Sequence, residues 1–186
     1  MYEVDLFPSR FFIIEDALNH KELMKVLNTI KKDTENLVKV TSGKQGPTYK
    51  TNHPQAEVHG ELFNPIIEQL NKKLAKDNVS FELIEWPWYA EYEEYDYHPP
   101  HTHSSNYLCV YNKFKYSGII CLSDFGETLF INPNISSFYN QTIPVISKYN
   151  MTILFPSNLY HFVLPHEFRD KVRAVFSFNC ILKMDI

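Results

Sequence analysis

Cysteine is scarce in this sequence, which contains only Cys109, Cys121 and Cys180 among its 186 residues. Three widely spaced cysteines exclude a disulfide framework and a thiolate zinc site. Each one lies in an apolar stretch. We therefore expect three small buried residues in a chain that works in a reducing compartment.

Long apolar runs and an excess of positive charge are also missing. No segment approaches the roughly 18 consecutive apolar residues of a membrane span, and the first residues lack the basic and then apolar pattern of a secretory signal. The formal net charge is −4, whereas a surface that binds nucleic acid carries clustered Lys and Arg. We expect a cytoplasmic protein with no membrane or nucleic-acid partner, and the pattern indicates no particular oligomeric state.

The residues that are abundant favour a β-rich core. Hydrophobic residues make up 44% of the chain and aromatic residues 15%, which is typical of packed strands. Eight strands in the last hundred or so residues suit a double-sheet jelly roll. We predict a mainly β (α+β) fold in a single domain, 1–186, with a helical support region over 1–80 and a jelly-roll core over 81–186. The eight predicted strands are 81–86, 88–95, 106–111, 116–122, 127–131, 151–155, 160–164 and 172–182.

Two helices are predicted in the first 80 residues and would buttress the jelly roll. The first begins with Asn19 as its N-cap, and Glu22 three residues later completes a capping box. The second begins with Asn64 as its cap and Pro65 as its first helical residue. Between them, the polar segment 41–55 predicts a loop, which is either a lid over the site or a plain connection.

Closely spaced histidines are the main candidates for a functional site in this sequence. One residue separates His101 from His103, and on a strand this spacing places both side chains on one face. Two nearby imidazoles suit iron, zinc, copper or nickel, and a third ligand from a distant strand would complete a facial set. His161, which follows a turn signal and begins an apolar strand, is the third candidate. A metal-free surface pair of histidines is the alternative.

Arg173 is the other candidate functional residue. It lies near the start of an apolar strand and shares a face with Val175 and Ser177 by alternation. A buried guanidinium needs an anionic partner, and its fork suits a planar carboxylate. Asp170 is the structural candidate for that partner, and a bound carboxylate ligand is the functional one.

Together these residues occur in an order that resembles a known family, the iron(II)- and 2-oxoglutarate-dependent dioxygenases, and in particular the small oxygenases of phages and bacteria. The first 80 residues match that family only loosely, mainly in KTNHPQ. Five ordered motifs in the second half of the chain carry the resemblance: PHTHSSN (100–106), YSGIICL (116–122), GETLFINP (126–133), ILFPSNLYHFV (153–163) and RAVFSFN (173–179).

The resemblance implies a double-stranded β-helix, cupin-like, with ferrous iron at the mouth of the barrel. By position, His101 and His161 are the metal histidines. His103 occupies a position where most of the wider superfamily has Asp or Glu, so the site would have three neutral ligands. Three carboxylates remain alternative candidates for the third ligand: Asp96, Asp124 and Glu127.

For the co-substrate, the resemblance assigns the distal carboxylate of 2-oxoglutarate to Arg173, with Ser177 lending a hydroxyl from the same strand face. Two departures from the family pattern concern this pocket. Val175 stands where the family has serine, and Ile120 and Cys121 replace a pair of tyrosines. No catalytic side chain beyond the metal centre is implied.

The implied function is hydroxylation of an unidentified substrate, with a protein or peptide side chain among the candidates. The reaction would consume O2 and 2-oxoglutarate and release succinate and CO2. Two alternatives remain open. One is a cupin-type iron dioxygenase with the same three histidines, which has no use for 2-oxoglutarate or for Arg173. The other is a non-enzymatic jelly-roll binding module with structural histidines.

Overall fold

The fold is known from a computed structural model, which describes residues 2–6, 9–32, 38–42, 51–57, 60–85, 87–103, 109–110, 113–133, 142–167 and 169–184. These residues form helices α1 (His20–Lys32) and α2 (Gly60–Leu74), a 3-10 helix (Ala75–Asp77) and the strands β1 (Tyr2–Leu6), β2 (Ser9–Ile14), β3 (Val38–Ser42), β4 (Thr51–Glu57), β5 (Val79–Leu83), β6 (Trp88–Tyr92), β7 (His98–His101), β8 (Cys109–Val110), β9 (Lys113–Cys121), β10 (Glu127–Ile131), β11 (Thr142–Ile146), β12 (Thr152–Pro156), β13 (His161–Val163) and β14 (Arg173–Met184).

The strands form two antiparallel sheets. The larger sheet has the order β1-β2-β12-β9-β14-β6-β4-β3, with β5 also paired to β14 and β8 to β9. The smaller sheet has the order β11-β10-β13-β7. This arrangement confirms the predicted mainly β jelly roll with two helices. That the whole chain is one domain stays a prediction.

Both faces of the large sheet are buried, and each face contributes to a different core. Between the sheets, Phe11 of β2 meets Phe130 of β10 edge to face, with ring centroids 4.9 Å apart. On the opposite face, Phe176 of β14 packs against Phe63 of α2 at 5.5 Å. Two-sided burial explains the nearly continuous apolar runs of the central strands. The helices therefore buttress the outer face of the large sheet, as predicted.

The N-cap predicted for α1 is confirmed, but the capping box is not formed as predicted. The side-chain oxygen of Asn19 accepts hydrogen bonds from the backbone N–H groups of Lys21 at 2.9 Å and Glu22 at 3.4 Å. The backbone N–H of Asn19 donates to Gln69 of α2 at 2.6 Å, in place of the expected Glu22 carboxylate. A tertiary contact thus joins the start of α1 to α2.

Within the described residues, neither helix has the length and apolar character that a membrane crossing requires.

The predicted start of α2 is wrong. The helix begins at Gly60, so Asn64 and Pro65 lie inside it. The extra turn contains Phe63, which is fully buried in the core beneath the large sheet. Burial of one such aromatic side chain contributes about 1.5–3 kcal/mol, which outweighs the local capping signal of an asparagine followed by proline.

The loop predicted over 41–55 is wrong at both of its ends. Residues 41–42 belong to β3 and residues 51–55 belong to β4, and β4 pairs in turn with β6 at the edge of the large sheet. Backbone pairing with that edge outweighs the polar composition of the segment. Residues 43–50 lie outside the described residues, so a lid role stays a prediction.

Strands β1, β7 and β11 were not predicted either, whereas β2 coincides with RFFII (10–14), an apolar run that suits a short buried strand. β7 reads HPPH and has no apolar alternation. Of the strand predicted over 106–111, only Cys109–Val110 belongs to the described residues.

The buried side chain of Asn150 connects the start of α1 to the turn before β12. Its Oδ1 accepts a hydrogen bond from the backbone N–H of Leu18 at 3.0 Å, and its Nδ2 donates to the carbonyl of Leu18 at 2.8 Å. The backbone carbonyl of Asn150 also accepts from the N–H of Ala17 at 2.9 Å. These bonds satisfy backbone groups of Ala17 and Leu18, which are both buried.

Two of the cysteines fulfil the structural expectation. Cys121 and Cys180 are buried free thiols, and burial raises the pKa of both. They are therefore protonated core residues. The side chain of Cys109 is outside the described part.

Close packing at Gly118 generates a stability prediction. A Cβ on Gly118 of β9 would lie 2.1 Å from Cζ of Phe178, which is its partner residue on β14. We expect Gly118→Ala to lower the free energy of unfolding by about 1–3 kcal/mol, because the ring must leave its place in the core. Urea denaturation measures this loss.

The paired variant provides the control. When Phe178→Leu is already present, adding Gly118→Ala should cost clearly less than in the wild-type protein. Equal costs in the two backgrounds would contradict the proposed clash.

Candidate metal centre

Three histidines meet at the pairing of β7 with β13. His101, the last residue of β7, lies directly opposite His161, the first residue of β13. His103 lies two residues beyond the end of β7, and its backbone N–H donates to the carbonyl of Ser157 at 2.8 Å. Each histidine offers one ligand nitrogen, and the three nitrogens lie within 4.8 Å of one another. The predicted set comes together, although His103 follows the strand and does not lie on it.

Backbone carbonyls fix the protonation pattern of two of these rings. Nδ1 of His101 lies 2.9 Å from the carbonyl of Pro99, and Nδ1 of His161 lies 3.0 Å from the carbonyl of Leu159. A carbonyl only accepts, so each Nδ1 carries the proton and donates it. The Nε2 atoms keep their lone pairs, which is the arrangement that a metal-binding imidazole needs.

The three rings are neutral near pH 7. Burial lowers the pKa of all three, and the repulsion that nearby imidazolium charges would exert lowers two of them further. The pKa of His103 falls to about 4. His161 is the most deeply buried, at 4% exposed, and burial lowers its pKa well below the usual range. Uncharged imidazoles held together are suited to receive a cation.

Arg173 lines the same cavity as the three histidines. The residue is 1% exposed. One terminal nitrogen, Nη2, donates to Oγ1 of Thr128 at 2.8 Å, and the guanidinium carbon lies 5.1 Å from the centroid of the Tyr92 ring. The buried Nε has no hydrogen-bond partner. Ser177 also lines this cavity, on the strand face predicted for it.

No carboxylate pairs with Arg173 in the described part of the chain. Asp170, the structural partner considered from the sequence, is exposed and in a left-handed turn. A buried cation without a protein counter-charge is costly. The N–H groups of Arg173 therefore suit an anionic group in the cavity. Two parallel N–H groups of a guanidinium match the two oxygens of a planar carboxylate.

Gly126 lets Arg173 adopt this position. A Cβ on Gly126 would lie 2.6 Å from Cδ of Arg173, and the φ of Gly126 is +82°. Both facts require glycine, because a side chain would meet the arginine and the left-handed backbone strains other residues. The sequence contains this glycine within a recognised motif, but the contact that explains it joins residues distant in the chain.

Sequence reasoning also missed Tyr92 and Thr128, which flank the guanidinium. Tyr92 lies opposite Arg173 in the pairing of β6 with β14. Burial raises the pKa of Tyr92 to about 12, so its hydroxyl keeps its proton, and that hydroxyl lies 3.3 Å from Nδ1 of His98. Alternation along β6 gives no signal for Tyr92, because Tyr89 and Tyr92 are both buried although they lie on opposite faces of the strand. The ring of His98 stacks on the ring of His101, and their centroids are 3.9 Å apart.

The three alternative carboxylate ligands lie outside the histidine group. Oδ2 of Asp96 accepts from the backbone N–H of Glu93 at 2.9 Å, and Oδ1 of Asp124 accepts from that of Tyr149 at 2.6 Å. Both carboxylates therefore stabilise turns. Glu127 is half-buried on β10 and likewise does not belong to the group.

The comparison with solved structures concerns the whole arrangement. The carbocyclase SnoK from nogalamycin biosynthesis, a non-haem, α-ketoglutarate-dependent enzyme, superposes with a TM-score of 0.63 at 11% identity, over 92% of this chain and 79% of SnoK. HygX from Streptomyces hygroscopicus, with nickel, 2-oxoglutarate and hygromycin B bound, superposes with a TM-score of 0.60 at 11% identity, over 91% of this chain and 82% of HygX. The collagen prolyl hydroxylase vCPH of Paramecium Bursaria Chlorella virus-1, in complex with 2-oxoglutarate, superposes with a TM-score of 0.55 at 15% identity. The superposition covers 95% of this chain and 96% of vCPH.

The protein has the fold of the iron(II)- and 2-oxoglutarate-dependent oxygenases. No model of a protein family matches the sequence, and no curated protein matches it. The likeness to the oxygenase fold extends over nearly the whole chain, including the helical N-terminal region that matched only loosely in sequence.

The geometry generates a metal-binding prediction. We expect His103→Ala to weaken Co(II) binding more than about 100-fold, beyond the range typical of residues that only support a ligand. The reason is that one of three converging nitrogens is removed. Titration calorimetry of the metal-free protein measures the dissociation constant.

Substitution of the carboxylates tests the alternative third ligands. Asp96→Asn, Asp124→Asn and Glu127→Gln should each leave the Co(II) dissociation constant nearly unchanged. A large loss in any of these variants, with His103→Ala close to wild type, would assign the third ligand to that carboxylate.

Proposed function

We propose that the protein is an Fe(II)/2-oxoglutarate-dependent oxygenase that hydroxylates a substrate C–H bond and releases succinate and CO2. The observation that carries this proposal is the shared cavity of two groups. Three converging neutral imidazoles suit a divalent metal, and a buried guanidinium with an unpartnered nitrogen suits a carboxylate. The fold supports it, since oxygenases with these cofactors share it.

In this proposal His101, His103 and His161 hold Fe(II) through nitrogen lone pairs. Bound iron together with 2-oxoglutarate and O2 supplies the oxidising chemistry. Arg173 binds the distal carboxylate of 2-oxoglutarate and fixes its orientation, and Ser177 contributes a hydroxyl on the same face of β14. Tyr92 covers the guanidinium and helps to keep water from it.

The substrate that we propose is a cationic side chain of a protein or peptide, or a related amine. The turn between β6 and β7 leads directly into the metal-binding strand and carries acidic residues. Glu93 is exposed, and Glu94 forms an ion pair with Arg169 at 3.6 Å. Beside them, Tyr95 is 60% exposed. An acidic and aromatic turn attracts cations through charge and through the faces of aromatic rings.

Formation of succinate tests the proposed activity. The protein loaded with Fe(II) under anaerobic conditions should convert 2-oxoglutarate to succinate after O2 is admitted, and basic peptides and amines should stimulate turnover more than acidic peptides. Omission of iron or O2 should abolish the product. Failure to bind 2-oxoglutarate in the presence of metal would overturn the proposal.

Substitution of Arg173 distinguishes this proposal from a three-histidine dioxygenase that does not use 2-oxoglutarate. We expect Arg173→Gln to weaken 2-oxoglutarate binding about 10- to 100-fold, because hydrogen bonds to charged groups contribute about 1.5–3 kcal/mol each. Co(II) affinity should be retained, since Arg173 is not a ligand. Calorimetry measures both constants.

Gly126→Ala is a second route to the same loss, because its Cβ displaces the arginine without removing the charge. Circular dichroism establishes that both variants fold. Unchanged 2-oxoglutarate affinity in folded Arg173→Gln would contradict the assigned role and favour the three-histidine alternative.

A further inference from the structure

His103 is held differently from the other two histidines, and this difference leads to an inference that rests on the proposed function. The rings of His101 and His161 each donate Nδ1–H to a backbone carbonyl. Nδ1 of His103 instead lies 3.4 Å from Nδ2 of Asn179. That separation is long for a hydrogen bond. Nδ1 of the third ring therefore faces a side-chain amide, whereas Nδ1 of each of the other two rings faces a backbone carbonyl.

Asn179 itself is firmly positioned. It is 8% exposed and lies opposite Ser117 where β14 pairs with β9. Its Oδ1 accepts a hydrogen bond from the Ser117 hydroxyl at 2.6 Å, and that hydroxyl lies 3.0 Å from the Ser157 hydroxyl. Its Nδ2 donates to the carboxylate of Glu85. Because a carboxylate only accepts, the amide must present its NH2 group to Glu85 and hence to His103.

This arrangement presents His103 with a donor where a metal-binding imidazole needs an acceptor. The NH2 group offers no acceptor to Nδ1. When Nε2 of a neutral imidazole binds a metal through its lone pair, the ring proton is on Nδ1. Nδ1–H requires an acceptor. The Glu85 carboxylate, hydrogen-bonded to the same amide nitrogen, is available for this purpose.

We propose that Glu85 and Asn179 are positioning residues for His103. Asn179 binds the Glu85 carboxylate through the same amide nitrogen that faces the ring, and in the metal-bound protein that carboxylate accepts the hydrogen bond from Nδ1 of His103. The pair also compensates for a charge. Three imidazoles give the metal no negative ligand, and Glu85 places a carboxylate one hydrogen bond behind the histidine that occupies the usual carboxylate position.

Metal affinity without co-substrate tests the role of Glu85. We expect Glu85→Gln to raise the Co(II) dissociation constant about 10-fold, the lower end of the effect of removing a partner behind a metal-binding histidine. The visible absorption bands of bound Co(II) should keep their positions, since Glu85 is not itself a ligand. Thermal unfolding of the metal-free protein should not change, because the Glu85 side chain is exposed.

Glu82→Gln is the matched control. Glu82 is an exposed residue of β5 that pairs with Lys183, so this variant loses the same charge three residues away. Its Co(II) dissociation constant should equal that of the wild-type protein. A double variant, Glu85→Gln with Asn179→Asp, returns a carboxylate to the neighbourhood of His103 and should recover most of the lost affinity.

The outcomes separate the two proposals. Equal dissociation constants for Glu85→Gln and Glu82→Gln, with wild-type binding intact, would overturn the role of Glu85 and leave the oxygenase proposal standing. Shifted Co(II) bands in Glu85→Gln would make Glu85 a direct ligand and likewise overturn it. Absence of Co(II) binding by the wild-type protein would overturn both.

Discussion

Alternation along β14 assigns its side chains to two different tasks, and most of the molecule depends on this division. Phe176 and Phe178 point into the core under the helices, whereas Arg173 and Ser177 face the cavity between the sheets. β14 pairs with β5, β6 and β9, so backbone pairing along both of its edges fixes its register. Because the side-chain period of a strand is two, burying the phenylalanines obliges the guanidinium to face the cavity.

The candidate centre is assembled from elements that are far apart in the chain but adjacent in the sheets. Pairing of β7 with β13 sets His101 opposite His161, and the turn after β12 holds the backbone of His103. The site combines three neutral rings with one cation, and burial maintains the neutrality of the rings. Such a centre has no negative charge of its own except from bound anions or from a carboxylate behind the ligands, which gives Glu85 its significance.

The sequence identified the candidate residues that the structure brings together, because unusual residues in apolar surroundings are visible locally. His101, His103, His161 and Arg173 stand out in this way, and all four line one cavity. The jelly roll was predictable for the same reason, since strand periodicity is local. Supporting residues such as Gly126 were not assignable, because their meaning lies in a contact across the sheet.

Element boundaries failed where a tertiary contact outweighed a local signal. Burial of Phe63 extends α2 by a turn beyond Asn64 and Pro65, and pairing with β6 makes a strand of a polar segment. In the site, the place of the Tyr92 side chain beside Arg173 depends on the register of β6 and β14.

The hydrogen bonds of Asn150 have a consequence for producing the protein. Asn150, Met151 and Thr152 form an acceptor sequence for N-linked glycosylation. The amide nitrogen that would carry the glycan donates instead to Leu18, and the residue is 7% exposed. A sugar attached there during synthesis would replace one of the two amide hydrogens and would have no room at this buried position. Expression through a glycosylating secretory route is therefore incompatible with this fold at that position, whereas a bacterial cytoplasm avoids the conflict.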